Sequence, residues 1–198
     1  LAFSGNPLEE HILEVADGDV ELTFSDGVAS AEAGAWNITV RLRYSYDLDA
    51  DWSWRGFPVI PVEVQSSEDF FGDVLNNVFT VKSYDGALVQ LPDDSWDDGV
   101  GAMDSHDGYV LGMYGDATVT TDGQRIAADE AMGVMEGWNW LDFYGEDGTD
   151  AEIAFGDILG DMIVAMSYDG ALAQTPWGLM NGIGDMSYGD GYITKTSL

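Results

Sequence analysis

The sequence predicts a β-rich α+β protein in which two tandem copies of a small sheet-plus-short-helix unit follow an N-terminal β extension. Three observations lead to this fold class. A stretch of twenty residues recurs later in the chain, each copy contains short strand patterns around an Asp-Gly pair, and a short helical pattern precedes each pair. With 45% hydrophobic and 12% aromatic residues, a chain of 198 residues has enough apolar side chains to form a folded core.

The duplication is seen when residues 71–90 are aligned with residues 155–174, at an offset of 84. Eleven of the twenty positions are identical, and most of the others exchange one apolar residue for another. Self-similarity at a fixed spacing indicates a copied structural unit. We therefore predict four segments: an N-terminal β-rich extension at 1–49, module one at 50–115, a connector at 116–135 and module two at 136–198.

A short helix is predicted at the same place in each module. Ser66 or Ser67 together with Asp69 is typical of a helix N-terminus, and the apolar residues that follow are spaced as on one helix face. In module two the corresponding start is near Thr149 or Asp150.

Strands are predicted around Asp85-Gly86 and around its repeat, Asp169-Gly170. Asp-Gly between β-rich runs is a strong hairpin signal, with glycine expected to supply a positive φ. In the N-terminal extension, residues 20–24 and 36–44 alternate with period two, which also predicts strands. Such an extension could form its own sheet, pack on module one or add a strand to a neighbouring subunit.

The charge balance excludes several kinds of partner. Thirty-seven acidic residues face six lysines and arginines, for a net charge of −31, so we predict no binding to nucleic acid. No run approaches 18 consecutive apolar residues, which predicts no membrane insertion. A strong acidic surplus favours a saline or calcium-containing environment.

Two further features bear on cellular context. The chain has no cysteine, which excludes disulfides, thiolate metal sites and thiol nucleophiles. It starts at Leu1, which we interpret as a processed mature form or as part of a longer polypeptide.

Module two resembles a repeat module written roughly GWNLIGY…ILDNVIIVKDNDG…PEWGFNGIGDL…GQGYQIK, which recurs in secreted and surface proteins of marine bacteria and in virion proteins of marine phages. The blocks that carry the resemblance are Trp138-Asn139-Trp140-Leu141-Asp142-Phe143, residues 158–164, Tyr168-Asp169-Gly170, Pro176-Trp177-Gly178, residues 181–186 and residues 189–195. Most of module one follows the same order, with 93–100 diverged, and residues 1–45 do not match. The resemblance implies a place in surface architecture and no catalytic residues, in either a bacterium or a phage.

Asp47, Asp49 and Asp51 are the best candidate metal ligands. Alternate aspartates in an extended segment place carboxylates on one side, and Ca²⁺ prefers several oxygen ligands. Looser acidic clusters are Asp93, Asp94, Asp97 and Asp98, or Glu146, Asp147 and Asp150. For all of these clusters, solvated loop acids remain the alternative interpretation.

Tryptophans are the candidate contacts for a ligand or partner. Trp52, Trp54, Trp138 and Trp140 occupy matched positions in the two modules, which favours core or inter-module packing. Trp96 and Trp177 lie in loop-like segments, so we predict that they contact a partner or stack on a sugar ring.

Together these features favour a non-enzymatic structural or assembly protein of an extracellular surface, a cell surface or a virion. The expected partners are copies of the same chain or other structural proteins of the same assembly. One alternative is a carbohydrate-binding adhesion module. A second is an acidic glycoside hydrolase, although the two histidines, His11 and His106, lie in no recognisable catalytic motif.

Overall fold

The computed structural model of the protein describes residues 42–197 and confirms the prediction of a β-rich fold. The strands predicted at 20–24 and before residue 42 lie outside the described residues. The strands are β1 (Leu42–Leu48), β2 (Asp51–Gly56), β3 (Val59–Pro61), β4 (Val78–Lys82), β5 (Ala87–Gln90), β6 (Trp96–Asp98), β7 (Gly108–Met113), β8 (Ala117–Arg125), β9 (Gly137–Asp142), β10 (Thr149–Asp150), β11 (Met162–Met166), β12 (Ala171–Thr175), β13 (Gly178–Asn181), β14 (Asp185–Met186) and β15 (Gly191–Thr196).

Within residues 42–197, helical structure is confined to short segments. The helices α1 (Ser67–Phe70) and α2 (Ala151–Ala154) span four residues each, and 3₁₀ turns follow them at Gly72–Asn77 and Gly156–Ile158. The α+β label is therefore not confirmed, because these single turns close loops over the sheets and form no separate helical layer.

Both helix starts were predicted correctly. Ser66 caps α1, its hydroxyl accepting a hydrogen bond from the amide of Asp69, and Asp150 caps α2 by accepting one from the amide of Glu152. These side chains satisfy amides that have no partner in the first turn of a helix.

Two antiparallel five-stranded sheets form most of the fold. We name them sheet one, with the strand order β2-β7-β4-β5-β6, and sheet two, with the order β9-β15-β11-β12-β13. In sheet one, the edge strand β2 pairs with β7, the last strand of that sheet in the sequence. In sheet two, the edge strand β9 likewise pairs with the last strand, β15. The register of both sheets shifts near the start of the third strand, between Val78 and Thr80 and between Met162 and Val164.

A third sheet, β1-β8-β3, lies against the inner face of sheet one. Leu48 of β1 and Val119 of β8 are buried in the same core as Leu111 and Met113 of sheet one. The segment predicted as a connector thus contains the nine-residue strand β8, which pairs with both β1 and β3. The predicted module boundaries remain predictions.

The glycines of the two Asp-Gly pairs have a different role from the one predicted. The hairpin loops do close there, but neither Gly86 nor Gly170 has a positive φ. A Cβ at Gly86 would lie 2.0 Å from the carbonyl oxygen of Gly99, and one at Gly170 would lie 1.9 Å from that of Gly182. Glycine is required because a neighbouring backbone passes too close for any side chain.

The two large sheets meet through backbone at the ends of their outer strands. The amide of Gly56 donates to the carbonyl of Gly189 (2.7 Å), and the amide of Asp142 donates to the carbonyl of His106 (3.0 Å). A Cβ at Gly108 would lie 2.4 Å from the carbonyl oxygen of Leu141. We call this contact region, formed by 56, 108, 142 and 189–191, the junction.

Gly108→Ala is expected to destabilise the protein by about 1–3 kcal/mol, because the added methyl group overpacks the junction against backbone that has no room to move. Urea unfolding measures this change. The matched control is Gly115→Ala, whose Cβ would have no neighbour within 4 Å. Equal free energies of unfolding for the two variants would contradict the close packing of backbone at Gly108.

Candidate interaction surface

Each large sheet has one face on a core and one open face. On sheet one, the register places Trp52, Trp54, Thr80, Lys82, Ala87, Val89, Asp97, Val110 and Gly112 on the face opposite the core. We call this set open face one. Open face two is the corresponding set on sheet two: Trp138, Trp140, Asp142, Val164, Met166, Ala171, Ala173, Met180, Ile193 and Lys195.

The open faces are apolar and almost free of acid. An antiparallel sheet with one face on a core normally presents polar side chains on the other face. Here the only acidic residues on the two faces are Asp97, at the outer strand β6, and the buried Asp142. Although the chain has 37 acidic residues, these two faces carry few of them.

The only two lysines of the chain both lie on the open faces, and each stacks on a tryptophan. The Nζ of Lys82 lies 5.2 Å from the ring centroid of Trp52, and the Nζ of Lys195 lies 5.3 Å from that of Trp138. The two tryptophans are at matched positions, but Lys82 comes from β4 and Lys195 from β15. The same cation–π contact is thus built from different strands in the two sheets.

The matched tryptophans were predicted to pack in a core or between modules, and the structure places them on the face of each sheet opposite its core. Trp52 is 41% exposed and Trp138 is 42% exposed, while Trp54 and Trp140 are half-buried. Trp52 extends into an aromatic cluster, since its ring lies 5.1 Å from Phe79, which in turn lies 5.1 Å from the exposed Tyr114. Alternation predicts which residues share a face, but it does not tell which face is covered.

The predicted contact residues Trp96 and Trp177 lie on different sheets. Trp96, in β6, is half-buried and packs against the core of sheet one. Trp177 is 92% exposed in the turn between β12 and β13, where its amide donates to the hydroxyl of Thr175. Only Trp177 therefore presents its ring fully to solvent.

The predicted metal ligands are engaged separately. The carboxylate of Asp47 accepts a hydrogen bond from Thr118 (2.8 Å), Asp49 pairs with Arg55 (3.3 Å), and Asp51, the first residue of β2, adopts a positive φ of 74°. Within residues 42–197, no three acidic, histidine or cysteine side chains are gathered so that they could hold a metal ion. Calcium binding by this segment remains a prediction.

The junction contains one residue that the sequence analysis did not single out, Asp142. It is 1% exposed, and neither carboxylate oxygen has a hydrogen-bond partner of standard geometry. A Cβ at Gly56 would lie 1.9 Å from this carboxyl group, so the backbone of β2 passes directly over it. The available signal was that Asp142 stands, in the duplicated strand, where module one has Gly56.

The surroundings of Asp142 disfavour its charged form. Burial raises the pKa of Asp142 well above its usual range, and the charges of Asp190 and Asp107 raise it further. The backbone amides of Phe143 and Phe57 offset only part of this rise. Asp107 is also affected, since burial and the neighbouring Asp104 raise its pKa to about 6.

Other side chains link the two halves around the junction. Arg55 of β2 pairs with Asp190 (3.3 Å), and the hydroxyl of Tyr188 donates to the carbonyl of Pro58 (2.9 Å). The guanidinium of Arg125 lies 3.6 Å from the ring centroid of Tyr188. His106, the loop histidine, has its ring nitrogens 3.3 Å from carboxylate oxygens of Asp104 and Glu130.

Among residues 42–197, no helix is both long enough and apolar enough to cross a membrane.

Comparison of the chain with known protein families, with curated proteins and with solved structures finds no match. The resemblance of module two to the repeat module of marine surface and virion proteins therefore remains a prediction.

Asp142→Asn is expected to stabilise the protein more as the pH rises. Because the pKa of Asp142 is raised in the folded state, its contribution to stability is fully present below about pH 4 and is lost as the pH rises through the folded-state pKa. Asparagine cannot ionise, so the variant does not lose this stability. Relative to the wild type, its free energy of unfolding should be nearly unchanged at about pH 4 and higher by about 1–3 kcal/mol at about pH 8.

Urea unfolding at both pH values measures the effect. The control is Asp73→Asn, which removes a charge at an exposed position. A gain that is the same at both pH values, or that the control reproduces, would show that Asp142 does not resist ionisation in the junction.

Proposed function

We propose that this chain is a non-enzymatic structural or assembly protein of an extracellular surface or a virion, and that it acts through contacts between its sheets and neighbouring subunits. One observation carries the proposal: both open faces are apolar and nearly free of acid in a protein of net charge −31. Contiguous exposed apolar surface on a soluble domain marks a site of interaction. The partners are copies of the same chain or other structural proteins of the same assembly.

The proposal includes the finer interpretation of the fold as two tandem copies of one module. Identical strand order, a register shift at the same strand, a side-chain cap at the same helix start and the sequence offset of 84 all support it. Two similar open faces on one chain allow each subunit to contact two neighbours, which suits a lattice or a fibre.

Electrostatics gives such an assembly a defined dependence on salt. Two subunits of charge −31 repel each other, and added salt screens this repulsion. The apolar contact between open faces does not weaken with salt. Association should therefore strengthen as ionic strength rises, which also fits the predicted saline environment.

Trp52→Gln combined with Trp138→Gln is expected to reduce self-association, because the change removes the largest exposed apolar side chain of each open face and its cation–π contact. Size-exclusion chromatography with light scattering, at about 0.05 M and about 0.5 M NaCl, measures the assembly. The wild type should gain mass with salt, and the double variant should stay monomeric.

Trp177→Gln is the matched control, since it removes an exposed tryptophan that lies in a turn outside both open faces. A wild-type protein that stays monomeric under all conditions and binds no structural protein of its assembly would contradict the proposal. An equal loss of assembly in Trp177→Gln would contradict the role of the open faces.

Carbohydrate binding is the second candidate function, and the exposure of Trp177 favours it. An aromatic ring that is 92% exposed at the tip of a hairpin can stack on a sugar without rearrangement. If this function is correct, Trp177→Ala abolishes binding on a glycan array, whereas Trp96→Ala, at a half-buried position, leaves most of it. The absence of any glycan bound by the wild type would eliminate this candidate.

A further inference from the structure

A cavity of about 650 Å³ lies against the core of sheet two. Most of its walls come from three parts of the chain: residues 128–134, which follow β8, residues 141–146, and α2 with the turn after it. Thr149, Met186 and Tyr192 complete the lining. This volume is within the range of roughly 300–1,000 Å³ that is typical of small-molecule sites.

The cavity exists because the inner faces of the two sheets are covered differently. On sheet one, strands β1 and β8 contribute Leu48 and Val119 directly to the core. On sheet two, the only side chains from the 128–134 segment that pack on the core are Met132 and Val134, both partly buried. A single irregular segment covers less area than a pair of strands, and a space remains beneath it.

The inside of the cavity is mostly apolar, although the buried Asp142 is part of the lining. Leu141, Phe155 and Met186 are buried residues of the core of sheet two, and they line the cavity together with Met132 and Ile158. The hydrophobic effect therefore favours an occupant with an aliphatic or aromatic body over water.

The mouth of the cavity has the opposite character. Within residues 42–197, no lysine or arginine lines it, whereas four exposed acidic residues do: Asp129, Glu130, Glu146 and Asp157. The surrounding charge is also strongly negative, which concentrates cations near the opening and repels anions. The charge at the mouth thus favours cationic over anionic ligands among those with an apolar body.

We propose that this cavity is a binding site for a small organic cation with an apolar body, such as an alkyl or aryl ammonium compound. The apolar body enters against Leu141, Phe155 and Met186, and the cationic group stays at the acidic mouth near Glu146 and Asp157. Asp142, which belongs to open face two, also lines the cavity, but the rest of the lining lies away from the open faces, on the core side of sheet two.

Isothermal titration calorimetry with two probes of equal length, octylammonium and octanoate, tests the charge preference. Octylammonium should bind in a 1:1 complex, about five- to tenfold more tightly than octanoate at low salt. Changing Glu146→Gln and Asp157→Asn together should remove most of this preference. Equal binding of the two probes, or a preference that survives neutralisation of the mouth, would overturn the proposal.

Ala154→Trp tests the location of the site. Ala154 is an exposed residue of α2 that lines the cavity, so a tryptophan there should fill the space and lower octylammonium affinity at least about tenfold. Ile153→Trp is the control, since Ile153 is an exposed neighbour that does not line the cavity. Circular dichroism checks folding, and Ala154→Leu replaces the first variant if it does not fold. Equal affinity in the cavity and control variants would show that binding occurs elsewhere.

Discussion

Mutual repulsion of acidic side chains is the constraint on which the other features of this protein depend. Thirty-seven carboxylates oppose six cationic side chains, so any two nearby surfaces of the molecule tend to repel each other. Inside the molecule, the two halves meet through backbone hydrogen bonds from Gly56 to Gly189 and from Asp142 to His106, and through the ion pair of Arg55 with Asp190. At its surface, the fold keeps carboxylates off the open faces and places both lysines there.

The junction brings buried carboxyl groups close together. Asp142 is sealed beneath the backbone of Gly56, and neither carboxylate oxygen has a hydrogen bond of standard geometry, so the carboxyl group is most stable when neutral. Asp107 and Asp190, which share this environment, also have raised pKa values. Because these raised pKa values favour the neutral carboxyl groups, we expect the contact between the two halves to be more stable in acid than in base.

Local sequence signals predicted local structure well. Ser66 and Asp150 cap helices because a short polar side chain before an apolar run satisfies free amides, and this logic needs no tertiary information. The duplicated strands and their hairpins followed from periodicity for the same reason. The role of Gly86 did not follow, because its neighbour, the carbonyl of Gly99, comes from another part of the chain.

The candidate sites depended on tertiary arrangement and were harder to predict. The matched tryptophans suggested packing in a core or between modules. The register fixes only that Trp52 and Trp54 share a face, and the core of sheet one lies on the opposite face. Asp142 was one acid among many in the sequence, and only the approach of β2 makes it distinctive. Among residues 42–197, no strand pair covers sheet two as β1 and β8 cover sheet one, and no local pattern encodes this difference.

The most direct test of the central claim, that the open faces are contact surfaces, is oxidative footprinting of the tryptophans by mass spectrometry. Hydroxyl-radical labelling of dilute protein at low salt is compared with labelling of concentrated protein at high salt. If the open faces are contact surfaces, Trp52 and Trp138 become protected in the concentrated sample while Trp177 stays reactive. Unchanged labelling of Trp52 and Trp138 in an assembled sample would contradict this claim.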